Sequence, residues 1–334
     1  MSNRPRSPLP GASLGALAGL FALAGCAPSA PGNDRLFVSD EQAMVVHVLD
    51  GASGRREGVL KTGSRPRGLA LSPDRRTLYV AASNDNRIEA WDARSLRHLR
   101  NIPAGTDPER FAVSPDGRTL YVANEDDSAV SLIDLARGKP RREVSVGPEP
   151  EGVGVEPDGR LVIATSEAAS TAHFIDPASG RLLDSVMVGT RPRDVLFLKH
   201  GREAWVSSEL GGSISVFDTA TRRIVHTIDL GAAFPELDRP QAVEMEVDPA
   251  GRRVFVAMGR GNQVAEVDPA SYRVIRAFPT GERTWGIALS PGGERLYAAS
   301  GLSGTVTIVD LATNQVAHTV AVGGKPWTVE AAPR

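Results

Sequence analysis

Arg67, Glu109, Glu151 and Arg193 stand 42 residues apart in the chain, and after one longer step the series continues at Val243, Trp285 and Trp327. Two residues upstream runs a parallel series: Arg65, Asp107, Glu149, Arg191, Gln241, Arg283 and Lys325. A third runs through Glu41, Ser83, Glu125, Glu167, Glu209, Gly259 and Gly301. Guanidinium forks hold carboxylate or phosphate groups through paired N–H donors, and indole rings offer a stacking face to a flat ligand. The candidate ligand-binding set is therefore Arg65, Arg67, Glu109, Glu151, Arg191, Arg193, Arg283, Trp285 and Trp327. Converging carboxylates could also hold Ca2+ or a similar hard cation, with Glu109, Glu125, Glu151 and Glu167 as its oxygen donors. The competing reading is structural: acids and arginines pair between elements and clip them together, at about 0–1 kcal/mol for each exposed pair.

Other chemistries lack their residues. The six histidines, His47, His98, His173, His200, His226 and His318, occupy no two equivalent positions, so no histidine ring for copper or haem can form. Only His173 falls near other candidate polar groups, and it reads as structural. There is no G-x-S-x-G elbow, no C-x-x-C-H haem attachment and no phosphate-binding G-x-G-x-x-G after a strand. The single cysteine excludes a disulfide framework and thiolate zinc sites. With 38 Lys and Arg against 40 Asp and Glu, the chain lacks the basic excess of a nucleic-acid binder.

The elements that position these residues are repeats. An Asp closing an apolar segment recurs at Asp50, Asp92, Asp134, Asp176, Asp218, Asp268 and Asp310; glycines keep step at Gly63, Gly105, Gly147, Gly189, Gly231, Gly281 and Gly323. Every interval but one is 42 residues, and the exception carries eight more, around Ala232–Arg239. Each repeat holds four short alternating stretches separated by Pro, Asp, Gly and Asn, as in GLALS, TLYVAA, RIEAW and the segment near Leu96–Ile102. The recurrent Asp reads as an Asx-turn residue. Four strands at this period predict an all-β, seven-bladed β-propeller with four antiparallel strands per blade. Leu36–Ser39 aligns with a second strand and Trp327–Ala332 with a first, so both termini close the last blade. Alternating strand direction then places all three series on one face, around the mouth of the central channel.

The first 26 residues read as a lipoprotein signal peptide. Arg4 and Arg6 precede an apolar run too short to span a bilayer, which ends in Leu23-Ala24-Gly25-Cys26. This lipobox makes Cys26 the lipidation site, residues 27–35 a tether and 36–334 the propeller. Ala27 after the cysteine points to the outer membrane, with the chain facing the periplasm.

The runs TLYVAASNDNRIEAWD, TLYVANEDDSAVSLID and RLYAASGLSGTVTIVD resemble the YVTN-type propeller repeat. The ordered series GSRPRGLALSPD, GTDPERFAVSPDGRTLYVANEDD, GPEPEGVGVEPDG, SEAASTAHFID and GTRPRDVLFL resembles the pyrroloquinoline-quinone-dependent catabolism-associated β-propeller proteins. Arg110 departs from that pattern, standing where an apolar residue is expected, and LKHG replaces a usual turn. The resemblance implies an exported, non-enzymatic binding or scaffold protein accompanying quinoprotein alcohol oxidation. Its partners would be a periplasmic quinoprotein dehydrogenase or cytochrome, with the membrane reached through the lipid, no nucleic acid, and a monomeric chain. The alternative is a propeller lactonase using a face carboxylate or a bound metal.

Overall fold

The computed structural model describes Met1, residues 34–238 and residues 240–334. The signal peptide, Cys26 and most of the tether lie outside the described residues. The rest forms seven four-stranded antiparallel sheets. The innermost strands of blades 2 to 7 are Pro66–Leu71, Pro108–Val113, Pro150–Val155, Pro192–Leu198, Met245–Val247 and Thr284–Leu289. Blade 1 takes its innermost strand, Pro326–Pro333, from the end of the chain and its second, Asp34–Asp40, from the start, paired from Asp34 opposite Pro333 to Asp40 opposite Pro326 with a register shift between Val38 and Asp40. That strand begins at Asp34, inside the stretch read as tether. The Asp34 carboxylate accepts from the Tyr297 hydroxyl (3.0 Å) and its carbonyl from the Gly51 amide (2.9 Å), which ties it into the sheet.

Strands such as Thr77–Ala82 bury both faces, because each blade packs against two neighbours. The core is accordingly a set of inter-blade layers. Tyr79, Ile88 and Ile102 of blade 2, for example, meet Phe111, Leu120 and Val122 of blade 3. The recurrent Asp does close a turn. Asp92 Oδ1 accepts from the Ser95 amide (2.6 Å) and Asp218 Oδ1 from the Thr221 hydroxyl (2.7 Å) and amide (2.8 Å), bonds that hold both carboxyls below the usual carboxylate range. The eight extra residues begin within a helical turn, Leu230–Ala233, capped by the Asp229 side chain, which accepts from the Ala232 amide at 3.1 Å. Leu230 and Phe234 pack into the layer between blades 5 and 6, and the innermost strand of blade 6 is reduced to three residues.

Candidate functional site at the channel mouth

One backbone bond, repeated around the ring, brings the arginine and glutamate series together. In six blades the residue two before the inner-strand entry accepts, through its carbonyl, the amide of the loop between second and third strands; in blade 6 the Gly259 amide donates instead to Thr284 O (3.0 Å). Thus Glu125 N donates to Asp107 O (2.9 Å), Glu167 N to Glu149 O (2.9 Å) and Glu209 N to Arg191 O (2.8 Å). Arg65, Asp107, Glu149, Arg191 and Arg283 all take left-handed backbone, with φ from 52° to 58°.

Two charge clusters result. In the first, Arg65 Nη1 donates to both Asp107 oxygens (2.6 and 2.8 Å) and Nη2 to Glu109 Oε1 (2.8 Å), while Arg67 Nη1 donates to Glu109 Oε2 (2.5 Å) and its Nε to Glu41 Oε2 (3.3 Å). Glu109 has no exposed surface, and burial together with the charge of Glu151 raises its carboxyl well above the usual range. In the second, Arg193 Nη1 lies 2.9 Å from Glu151 Oε1 and also meets Glu167 Oε1, and its Nε and Nη2 both reach Glu209 Oε2 at 2.7 Å. Arg191 pairs with the other Glu167 oxygen, and Gln241 Nε2 donates to Glu209 Oε1 (3.1 Å). Burial alone would raise the Glu151 carboxyl, but Arg193, Arg67 and Arg110 together hold it below its ordinary value. Glu167, buried beside ionised Glu151, is pushed up to about 7.

The four proposed cation donors thus divide between the clusters. Oxygens of Asp107, Glu109 and Glu125 approach within 4.8 Å of one another, the one such grouping among the described residues, but Arg65 and Arg67 already supply its positive charge. Trp285 and Trp327 stack on each other, with centroids 6.1 Å apart and planes 18° apart. Arg193 and Arg283 lie 4.8 and 4.7 Å from the Trp285 centroid, and Arg67 lies 5.0 Å from that of Trp327. The indoles are therefore buried walls between guanidiniums. Arg283 differs from Arg65 and Arg191 in having no ion pair among the described residues, because the neighbouring loops carry Gly259 and Gly301 where other blades carry Glu.

Below the mouth the channel is plugged. Arg110 crosses it, donating to Asp194 Oδ1 (3.3 Å) and Glu244 Oε1 (2.6 Å); the remaining oxygens of those acids accept from the Met245 and Ile287 amides (2.8 and 2.7 Å). Sequence reasoning marked Arg110 only as a departure and missed Asp194 and Glu244. The signal lay in the register: all three hold the inner-strand position taken elsewhere by Gly68, Gly152, Gly286 and Thr328. His173 is structural. Its Nε2 accepts from the Gly147 amide (3.1 Å), its Nδ1 lies 2.9 Å from Ser185 Oγ, and burial lowers its pKa to about 4.

A cavity of about 170 Å3 opens beside the second cluster, lined by Glu209, Leu210, Gly212, Asp229, Pro240 and Gln241. A larger one, about 600 Å3, lies on the opposite face between blades 3 and 4, but the charges lining it, such as Asp116, Arg118 and Asp158 of the turns and Arg141 of an outermost strand, are exposed.

The YNCE-like β-propeller family model matches residues 34–156, and the seven-bladed β-propeller lactonase family model matches residues 183–329. No curated protein matches the chain. Among solved structures, a periplasmic gluconolactonase of Pseudomonas aeruginosa superposes with a TM-score of 0.74 at 24% identity, over 90% of this chain and 99% of that one. A Bacteroides uniformis protein named for 6-phosphogluconolactonase activity gives 0.73 at 19%, over 90% and 100%. The hydrazine synthase of Kuenenia stuttgartiensis gives 0.68 at 21%, over 79% and 88%. At such identities the likeness is one of fold. Two expectations are corrected. The chain is a β-propeller, but the matching families are the YNCE-like and lactonase ones, not the quinone-associated one. The reading as a non-enzymatic protein is overturned by the lactonase match over residues 183–329.

Proposed function

We propose that the protein hydrolyses a lactone at the channel mouth, in the cluster around Arg191, Arg193 and Glu167. The observation that carries this reading is a buried carboxyl, Glu167, with a pKa near 7 and two arginines on it, facing the stretch that matches the lactonase family. A general base works best when its pKa lies near the working pH. Ionised Glu167 takes a proton from water as the water oxygen attacks the lactone carbonyl carbon. The carbonyl π pair moves onto oxygen, where the half-exposed Arg191 guanidinium donates to the developing charge. The ring C–O bond then breaks, and the leaving alkoxide recovers the proton from Glu167. Lactone and water give one hydroxy acid.

The assay is hydrolysis of a δ-aldonolactone such as gluconolactone, measured against the spontaneous rate. Purified protein should accelerate it, and Glu167→Gln should lower kcat/KM by about 10²–10⁴-fold. No acceleration of any aldonolactone by the folded protein overturns the reading.

A further inference from the structure

Antiparallel blades sort the connections onto two faces, and the two faces carry opposite charge. The segments joining first to second and third to fourth strands, with the strand-end residues that flank them, form the turn face; they hold 19 Lys or Arg and 14 Asp or Glu, the seven turn-closing Asp included. The mouth-face segments, counted in the same way, hold among the described residues 7 Lys or Arg and 15 Asp or Glu. Arg55, Arg94, Arg97, Arg118, Arg160 and Arg252 of the turn face are exposed. The chain enters the fold on this face as well, because Asp34 pairs with Pro333 at the outgoing end of the innermost strand and accepts from the amide of Gly51 in a turn.

We propose that the turn face docks on an anionic phospholipid bilayer and holds the mouth away from it. Asp34 stands eight chain steps after Cys26, the residue that the sequence marks for acylation. At roughly 3.5 Å per residue they reach at most about 28 Å, so the lipid and the basic face meet the bilayer on the same side. The lipid supplies the anchor, and a basic patch adds an electrostatic attraction that sets which face meets the bilayer. The acidic mouth is repelled by the same surface, which fixes the orientation. Substrate then reaches the channel from the aqueous side. This proposal does not depend on which reaction the mouth performs.

The test uses the full chain as Cys26→Ser, which removes acylation, and follows co-sedimentation with phosphatidylcholine vesicles with and without about one-third phosphatidylglycerol. Binding should require the anionic lipid and weaken as salt shortens the Debye length from about 30 Å at 0.01 M to about 3 Å at 1 M. Reversing Arg94, Arg97, Arg118 and Arg252 to Glu should weaken binding at least tenfold with unchanged melting; Asp126→Lys with Glu282→Lys on the mouth face should not weaken it. Cys26 is the only native cysteine, so thiol labels at Arg94→Cys and Asp126→Cys in the Cys26→Ser chain report orientation. A headgroup-bound quencher should quench the first and spare the second. The proposal is overturned by equal binding to neutral vesicles, by binding that survives the four reversals, by capture on a soluble polyanion without vesicle binding, or by quenching of both labels.

Discussion

The arginines of the mouth, alike in sequence, differ in environment. Arg193 is buried and carries contacts to three carboxylates, Glu151, Glu167 and Glu209. Arg283 sits at the rim against the Trp285 face and, among the described residues, makes no ion pair. Removing one partner of a buried ion pair costs about 3–5 kcal/mol, because the remaining charge is left desolvated, whereas an exposed cation–π contact contributes about 0.5–1 kcal/mol. Arg193→Met should therefore lower stability by about 3–5 kcal/mol and Arg283→Met by about 1 kcal/mol or less, read from urea unfolding at pH 7. Equal effects would mean that the Arg193 cluster is hydrated and weak. The estimate of 0–1 kcal/mol for such pairs assumed exposure. What the sequence could not show is that channel closure takes Glu109 and Glu151 almost wholly out of water.

The inner strands impose a second pattern. Below the Arg110 plug, Glu246 and Glu330 face the lower channel near Arg75, whose guanidinium donates to Ala331 O at 2.9 Å. Burial and mutual repulsion raise the plug acid Glu244 to about 7 and, below it, Glu330 to about 8 and Glu246 well above its ordinary value, against the opposing charges of Arg75 and Arg110. Carboxyls with raised native pKa values bind more protons folded than unfolded. Their contribution is fully present below an unfolded pKa of about 4.5 and is lost as pH rises through 7 and 8. Melting temperature should fall between pH 5 and pH 9, and Glu330→Gln should flatten that fall; a wild-type melting temperature that rises over this range would contradict the assignment. The blades themselves were legible, since the Asp register and the alternation are local signals. The plug was not, because Arg110, Asp194 and Glu244 are joined across the channel between blades 3, 5 and 6, and no local rule pairs residues that far apart. The start at Asp34 was missed for the same reason: its partners are Tyr297 and Gly51.

At the scale of the whole molecule the ring closes through Pro326–Pro333, and an open blade would expose the unpaired edge of Asp34–Asp40. Deleting residues 326–334 should abolish the cooperative thermal transition and give aggregation; a soluble, cooperatively melting truncation would show that closure is dispensable. Closure also brings Trp327 against Trp285 and Arg67, completing the wall of the mouth. All seven blades thus contribute to the mouth, and the proposed lactone hydrolysis there depends on Glu167 as its base. The most direct test is the pH dependence of kcat/KM for gluconolactone hydrolysis between pH 5 and pH 8, corrected for the spontaneous rate. Activity should rise through an apparent pKa of about 7, as Glu167 ionises, then level off, and Glu167→Gln should lose both the activity and the inflection while remaining folded. A folded Glu167→Gln variant with the wild-type rate and profile would contradict the assignment of this carboxylate, and with it the mouth, as the place of reaction.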